Sequence, residues 1–299
     1  MTTSVRITAF TDPACTWCWG SEPVLRAVEA RFGDQVQVRP VMGGLVKDIR
    51  AFMDTANGIG GDADRSNAQI ASHWLEASAR HGMPVRTAGF RMFTDEDRST
   101  WPMCEAYEAA KLVDASLAAR YLRRLREANA AEALQVNRVE VQAELAAEVG
   151  LDVGGFLGAL RDGSARAAFQ ADLAETARNG VRGFPAFLFE GERRMMVPGY
   201  LPYEGFREVL GMVSGGKLVE TAPPKTVEAI ADFVRRHGRV ADREITVTFG
   251  LTDSEWATLQ PGVLGSPGIE VEPAGNGRFL LARGPSAGTC DAVTGTCTT

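Results

Sequence analysis

Arg6-Ile7-Thr8-Ala9-Phe10-Thr11-Asp12-Pro13-Ala14-Cys15-Thr16-Trp17-Cys18-Trp19-Gly20 is the stretch on which the fold of this 299-residue chain turns. Arg6 to Thr11 reads as a strand, Asp12-Pro13-Ala14 interrupts it, and a helical stretch follows to about Phe32, with Pro23 expected to kink it. Val36 to Val41 alternates as a second strand, so the chain opens β-α-β, as an α/β domain does. Two cysteines separated by two residues therefore fall where a strand ends and a helix begins. A thiol in the first helical turn faces unpaired backbone N–H groups and the positive end of the helix dipole, both of which favour the thiolate. Cys15 is the expected nucleophile, and Cys18 is placed to resolve a mixed disulfide formed on it. Zinc sites use the same spacing, but a closed site needs two more ligands and no second pair follows nearby. We therefore expect redox chemistry, with no metal and no cofactor.

A second stretch, Gly183-Phe184-Pro185-Ala186-Phe187-Leu188-Phe189, puts a proline directly before an apolar strand, the position where a missing N–H costs no ladder bond. If the Phe184-Pro185 bond is cis, the preceding backbone groups turn outward, free to pair with an extended substrate beside Cys15. Trp17, Phe184 and Pro185 are accordingly the candidate substrate-binding residues. Ala186 to Glu190 and Met195 to Val197 form a hairpin, and Tyr203 to Met212 a closing helix. Between the two β regions, residues 64–180 are rich in Ala, Glu, Arg and Leu, with apolar residues every three or four positions: an inserted helical block. Residues 1–213 are thus one expected domain and 214–224, rich in Gly and Pro, a linker. Residues 225–284 form a small α+β module. Thr226 caps its first helix, helix candidates follow at Ala241 to Leu251 and Ser254 to Leu259, and two strands flank Gly275-Asn276-Gly277. That order is winged-helix-like. Residues 285–299 are a small, polar tail carrying Cys290 and Cys297.

Composition sets the outer limits. With 45% hydrophobic and 23% charged residues the chain can bury a full core. No apolar run approaches the roughly 20 residues that a membrane helix needs, and the opening strand leaves no room for a signal sequence. A cytoplasmic protein without membrane contact is expected. The net charge of −6 gives no global attraction for nucleic acid. Within the module, residues 225–284 hold seven Lys or Arg against eight Asp or Glu, and the would-be reading segment Asp253-Ser254-Glu255-Trp256 is acidic. No nucleic acid partner is expected, and the module reads as a protein-docking or dimerisation unit, with a homodimer as candidate assembly. Cys104 reads as a buried small apolar residue, and His73 and His81 as surface or packing groups rather than ligands.

In combination these motifs, with Trp101-Pro102-Met103-Cys104 inside the helical block, resemble the DsbA-like thioredoxin-fold oxidoreductases, and within them the cytoplasmic FrnE-type branch. The resemblance covers about residues 5–213. It implies an α/β thioredoxin fold with an inserted helical subdomain, a nucleophile at Cys15, a resolving thiol at Cys18 and a cis proline at Pro185; the branch is also similar in carrying an extra C-terminal cysteine pair, and Cys290 and Cys297 read either as a redox relay to Cys15/Cys18 or as two exposed tail thiols without a partner. The expected function is an intracellular thiol-disulfide oxidoreductase. Its partners would be protein thiols and disulfides and a cellular reductant such as a thioredoxin or glutathione system. Thr16-Trp17 stands where the periplasmic oxidants have Pro-His, so their strongly oxidising potential does not carry over. Glutathione-dependent isomerases and transferases of the same broad family have a serine at the position of Cys15, and two cysteines argue against that activity. A different class stays open: a noncatalytic adaptor presenting partners, as some DsbA-like proteins do for a protease.

Overall fold

A computed structural model describes residues 4–282. It opens with β1 (Val5–Thr11), α1 (Thr16–Gly20), α2 (Glu22–Phe32) and β2 (Val36–Met42). β1 and β2 are parallel, in register from Val5 opposite Val36 to Thr11 opposite Met42. The expected single kinked helix is instead two. The chain breaks at Ser21, whose N–H bonds to Cys18 O at 3.2 Å while its hydroxyl donates to Trp17 O, and Pro23 sits harmlessly in the first turn of α2. A small hairpin, β3 (Met53–Asp54) and β4 (Ile59–Gly60), follows; nothing in the sequence pattern signals it.

Six helices come next: α3 (Ala63–His81), α4 (Trp101–Val113), α5 (Ala115–Ala130), α6 (Val139–Val149), α7 (Val153–Arg161) and α8 (Ser164–Arg178). They supply most of the largest apolar cluster among the described residues, from Trp74 and Phe93 through Tyr121 to Phe156 and Phe169. β5 (Ala186–Glu190) then pairs antiparallel with β1, β6 (Arg194–Pro198) pairs with β5, and α9 (Tyr203–Ser214) closes the unit. The sheet order is β2-β1-β5-β6. Alternation along the strands feeds two faces. Val5, Ile7 and Ala9 of β1 with Phe187 and Phe189 of β5 pack on α2 and α9, while Phe10, Ala186 and Leu188 turn to the other side. This is a thioredoxin fold carrying an inserted set of helices.

Within the expected linker, Val219 to Thr221 are held against the end of α2 and the turn after it. Gln35 exchanges two 2.9 Å bonds with the Val219 backbone, and Glu220 accepts from Arg31 and from the Tyr203 hydroxyl, both at 2.8 Å. Beyond lie α10 (Val227–His237), β7 (Arg239–Ala241), α11 (Asp242–Phe249), α12 (Asp253–Leu264), β8 (Ile269–Ala274) and β9 (Gly277–Ala282). The three strands form an antiparallel sheet of order β7-β9-β8 around a core of Ile230, Val234, Phe249, Trp256 and Leu280. Helix, strand, two helices and a hairpin make a winged-helix-like order. β7, which the sequence pattern does not signal, precedes the expected second helix: Arg239 to Ala241 pair with Leu281 to Phe279, and α11 starts one residue after the expected Ala241. α12 runs through Pro261 to Leu264, five residues past its expected end.

Candidate functional site

Cys15 is the N-cap of α1 in an extended conformation, and its Sγ accepts the Cys18 N–H at 3.2 Å. The register of β1 with β5 sets Ala186 opposite Phe10, which brings Phe184-Pro185 to the same end of the sheet. The Phe184-Pro185 bond is cis. Cys15 Sγ donates to Phe184 O at 3.4 Å, so the sequence-expected residues Cys15, Cys18, Phe184 and Pro185 are brought together. Phe184 in turn lies on Gly43, where a Cβ would fall 1.9 Å from the ring: only glycine admits it. A cleft of about 640 Å³ opens beside Cys15, with Trp17, Phe184, Met53, His73 and Trp74 in its walls. Cys290 and Cys297 lie outside the described residues.

Trp17 is half-buried and framed by His73, His81 and Tyr200 at ring distances of 6.2, 5.9 and 5.7 Å, with the Arg80 guanidinium 5.6 Å over its face. His81 is buried, the packing alternative of its sequence reading. Its Nδ1 accepts the Met83 N–H at 3.1 Å, so the neutral ring carries its proton on Nε2 and offers it to Thr16 Oγ1 at 3.4 Å. Burial and the nearby Arg243 hold His81 down at about 4, neutral at physiological pH.

Three further residues shape the dithiol and were not singled out from sequence. Asp12 is fully buried; it accepts from Ala14 N–H (2.8 Å), Leu45 N–H (2.7 Å), Thr100 Oγ1 (3.2 Å) and Cys104 Sγ (3.3 Å), lashing the β1–α1 turn to β2 and α4. Arg126 reaches in from α5, and the Arg123 guanidinium covers Trp19 at 4.5 Å. Only a doublet of arginines on the apolar face of α5 could have flagged the last two. Burial, then the Cys18 thiol beside it, pushes the Cys15 thiol well above its usual range. Burial opposes ionisation of Cys18 as well, but the hydrogen bond from Cys15 and the charge of Arg126 outweigh it and hold that thiol below its ordinary value. Burial thus works against the thiolate at both sulfurs, and Cys15 is only 6% exposed. Among the described residues, no group of three or more His, Cys, Asp or Glu is placed to hold a metal, and no helix is long and apolar enough to cross a membrane.

The ClpXP adapter protein SpxH of Halalkalibacterium halodurans is 26% identical over 279 residues, 92% of this chain and 88% of that one. Among solved structures, a candidate protein disulfide isomerase from Nitrosomonas europaea is similar at 22% identity and a TM-score of 0.58, over 70% of this chain and 97% of that one. The cytosolic disulfide reductase DsbM from Pseudomonas aeruginosa is similar at 24% and 0.51, over 71% and 95%. At these identities the structures speak for the fold. They corroborate the expected thioredoxin fold, but the expected function, an oxidoreductase acting on protein substrates, is corrected: relatives that align over nearly the whole chain are adapters. A family model described as Thioredoxin matches residues 9–207, and the chain belongs to the thioredoxin family.

Proposed function

We propose that this chain is an adapter, a thioredoxin-fold protein that holds a partner protein and presents it to a ClpXP protease. One observation carries the reading. The disulfide enzymes are used up almost completely by 70–71% of this chain, whereas the adapter continues to 92%. What distinguishes the chain from a bare thioredoxin-fold enzyme is what it shares with the adapter. In this reading Trp17 and Phe184, either side of Cys15, are partner contacts: large aromatic groups at the mouth of a cleft, the type of residue that dominates binding energy at interfaces. Residues 225–282 supply a second docking face.

Purified full-length chain mixed with a ClpX hexamer and ATP should give a saturable complex by analytical ultracentrifugation, retained when both Cys15 and Cys18 are changed to Ser. Absence of a complex, together with dithiol turnover on insulin that disappears in Cys15→Ser, would overturn the adapter reading.

A further inference from the structure

A continuous line of buried charge joins Cys18 to the C-terminal module. Arg126 and Cys18 line one small cavity of about 30 Å³ with Thr11 and Pro185. Arg126 Nη1 donates to Glu22 and Nη2 to Thr11 Oγ1, while its Nε is buried with no partner, a spare donor in the residue that lines this cavity with Cys18. Glu22 also accepts from Arg123 at 3.4 Å, and Arg123 grips Glu244 of α11 with two bonds of 2.7 and 2.9 Å. Arg26 adds a third contact to Glu244 at 2.7 Å, and Glu244 itself accepts the Ala241 N–H where α11 begins. A second, apolar link runs in parallel: Trp19, next to Cys18, meets Phe279 of β9 at 6.3 Å between ring centres.

We propose that this line links the docking of the module on α2 and α5 to the state of the thiol pair, so that Cys15 and Cys18 as a disulfide bind the module more tightly than as two thiols. The oxidant is a small disulfide such as glutathione disulfide. One cysteine thiolate displaces a glutathione thiolate and forms a mixed disulfide; the other displaces the second glutathione. Two electrons pass to glutathione, the two thiol protons end on its two thiols, and one S–S bond joins Cys15 to Cys18. The dithiol can carry a negative charge beside Arg126, and the disulfide cannot. Without that charge Arg126 draws more on Glu22 and Arg123 loses part of Glu22; Arg123 keeps Glu127 on its own helix through Nε at 2.6 Å, and the carboxylate left to its Nη groups, across the interface, is Glu244. The sign follows from charge alone: a docked Glu244 adds negative charge near the pair and disfavours the thiolate, so docking and disulfide support each other, each by the same factor. As a control on partner delivery this rests on the adapter reading; as a linkage it needs no partner.

The test is the equilibrium constant for disulfide formation of the full chain in glutathione buffers at neutral pH. Glu244→Gln should lower it about fivefold and Arg126→Gln raise it about tenfold, while Glu255→Gln, in the module but away from this line, leaves it unchanged. In the unaltered chain, amide exchange across Asp242 to Phe249 should be slower in the disulfide form than in the dithiol form, a measurement that holds even where a variant fails to fold. Unchanged exchange, with Glu244→Gln within twofold of the unaltered chain, overturns the linkage; a shift in Arg126→Gln alone marks a local charge effect and overturns it equally. Because no partner enters, failure here leaves ClpX binding as a separate result.

Discussion

The chain buries acids in two ways. Behind the dithiol, Asp12 is enclosed by four neutral donors and no cation, and burial raises its pKa; Glu108, on α4, is raised to about 7 by burial, and Asp172 is raised beside it. At the seam with the C-terminal module, burial is opposed by arginine: Arg126, Arg123 and Arg26 hold Glu22 below its ordinary value. The first region keeps its acids by protonation, by neutral donors and, at Glu108, by the partly exposed Lys111, the second by buried arginines. A protonated acid responds to pH and tolerates a neutral replacement. A paired acid is indifferent to mild acid but leaves a stranded charge when it is removed.

The largest test of this difference is Glu244→Ala. The Glu244 side chain is fully buried and takes bonds from Arg123, Arg26 and the Ala241 N–H. Its loss leaves two guanidiniums under-compensated and should cost about 3–5 kcal/mol, read from the urea midpoint. Removing Arg123 as well should return part of that loss, because the charge left stranded in the single variant is gone. A loss below about 1 kcal/mol in the single variant would mean that the seam is wet and that the two regions do not differ in kind.

A middle-sized effect comes from the other region. Glu108 titrates at about 7 in the folded chain against 4.5 ordinarily, its carboxylate paired with Lys111 at 2.5 Å and set near Asp172. A raised acid means that the folded chain holds a proton which the unfolded chain has released between those values. Its contribution is therefore full below about pH 4.5 and is lost as pH rises through about 7. Sharing with Asp172 and Lys111 reduces the swing to about 1–2 kcal/mol. Glu108→Gln should flatten the stability profile between about pH 5 and 8 in urea titrations. An unchanged slope would place the titration elsewhere.

The two regions were not equally legible in the sequence. The dithiol face was, because local rules place it: a strand-to-helix turn positions Cys15 and Cys18, and a proline at a strand start positions Phe184-Pro185. The same rules found the Gly275-Asn276-Gly277 turn but not its use. Asn276 exchanges bonds of 2.8 and 3.0 Å with Val85, and a Cβ on Gly275 would fall 2.0 Å from Val85 O, so the turn is a docking contact. Glu22, Arg123 and Glu244 are separated by about a hundred residues each, and every one looks like a solvated helix charge until the tertiary fold stacks the helices. Function was misread for a further reason: the thiol motif is local and conspicuous, whereas the features shared with the adapter are spread over 92% of the chain.

The smallest effect asks whether the seam makes one folding unit of both parts. Thr226 caps α10 through a 3.2 Å bond from Ala229 N–H, on the exposed side of the module and away from the ion pairs. Thr226→Ala should cost about 1 kcal/mol, the usual value of such a cap. What the calorimeter shows then discriminates. If buried charge binds the module to α2 and α5 as strongly as the geometry indicates, the cost appears as a small downward shift of a single thermal transition, because the module cannot melt without exposing Glu22, Arg123 and Glu244 together. If the module melts by itself, the transition splits and only the lower component moves. Glu244→Ala sharpens the comparison, since weakening the seam should turn the single transition into two, and Thr226→Ala on that background should shift only the module's component.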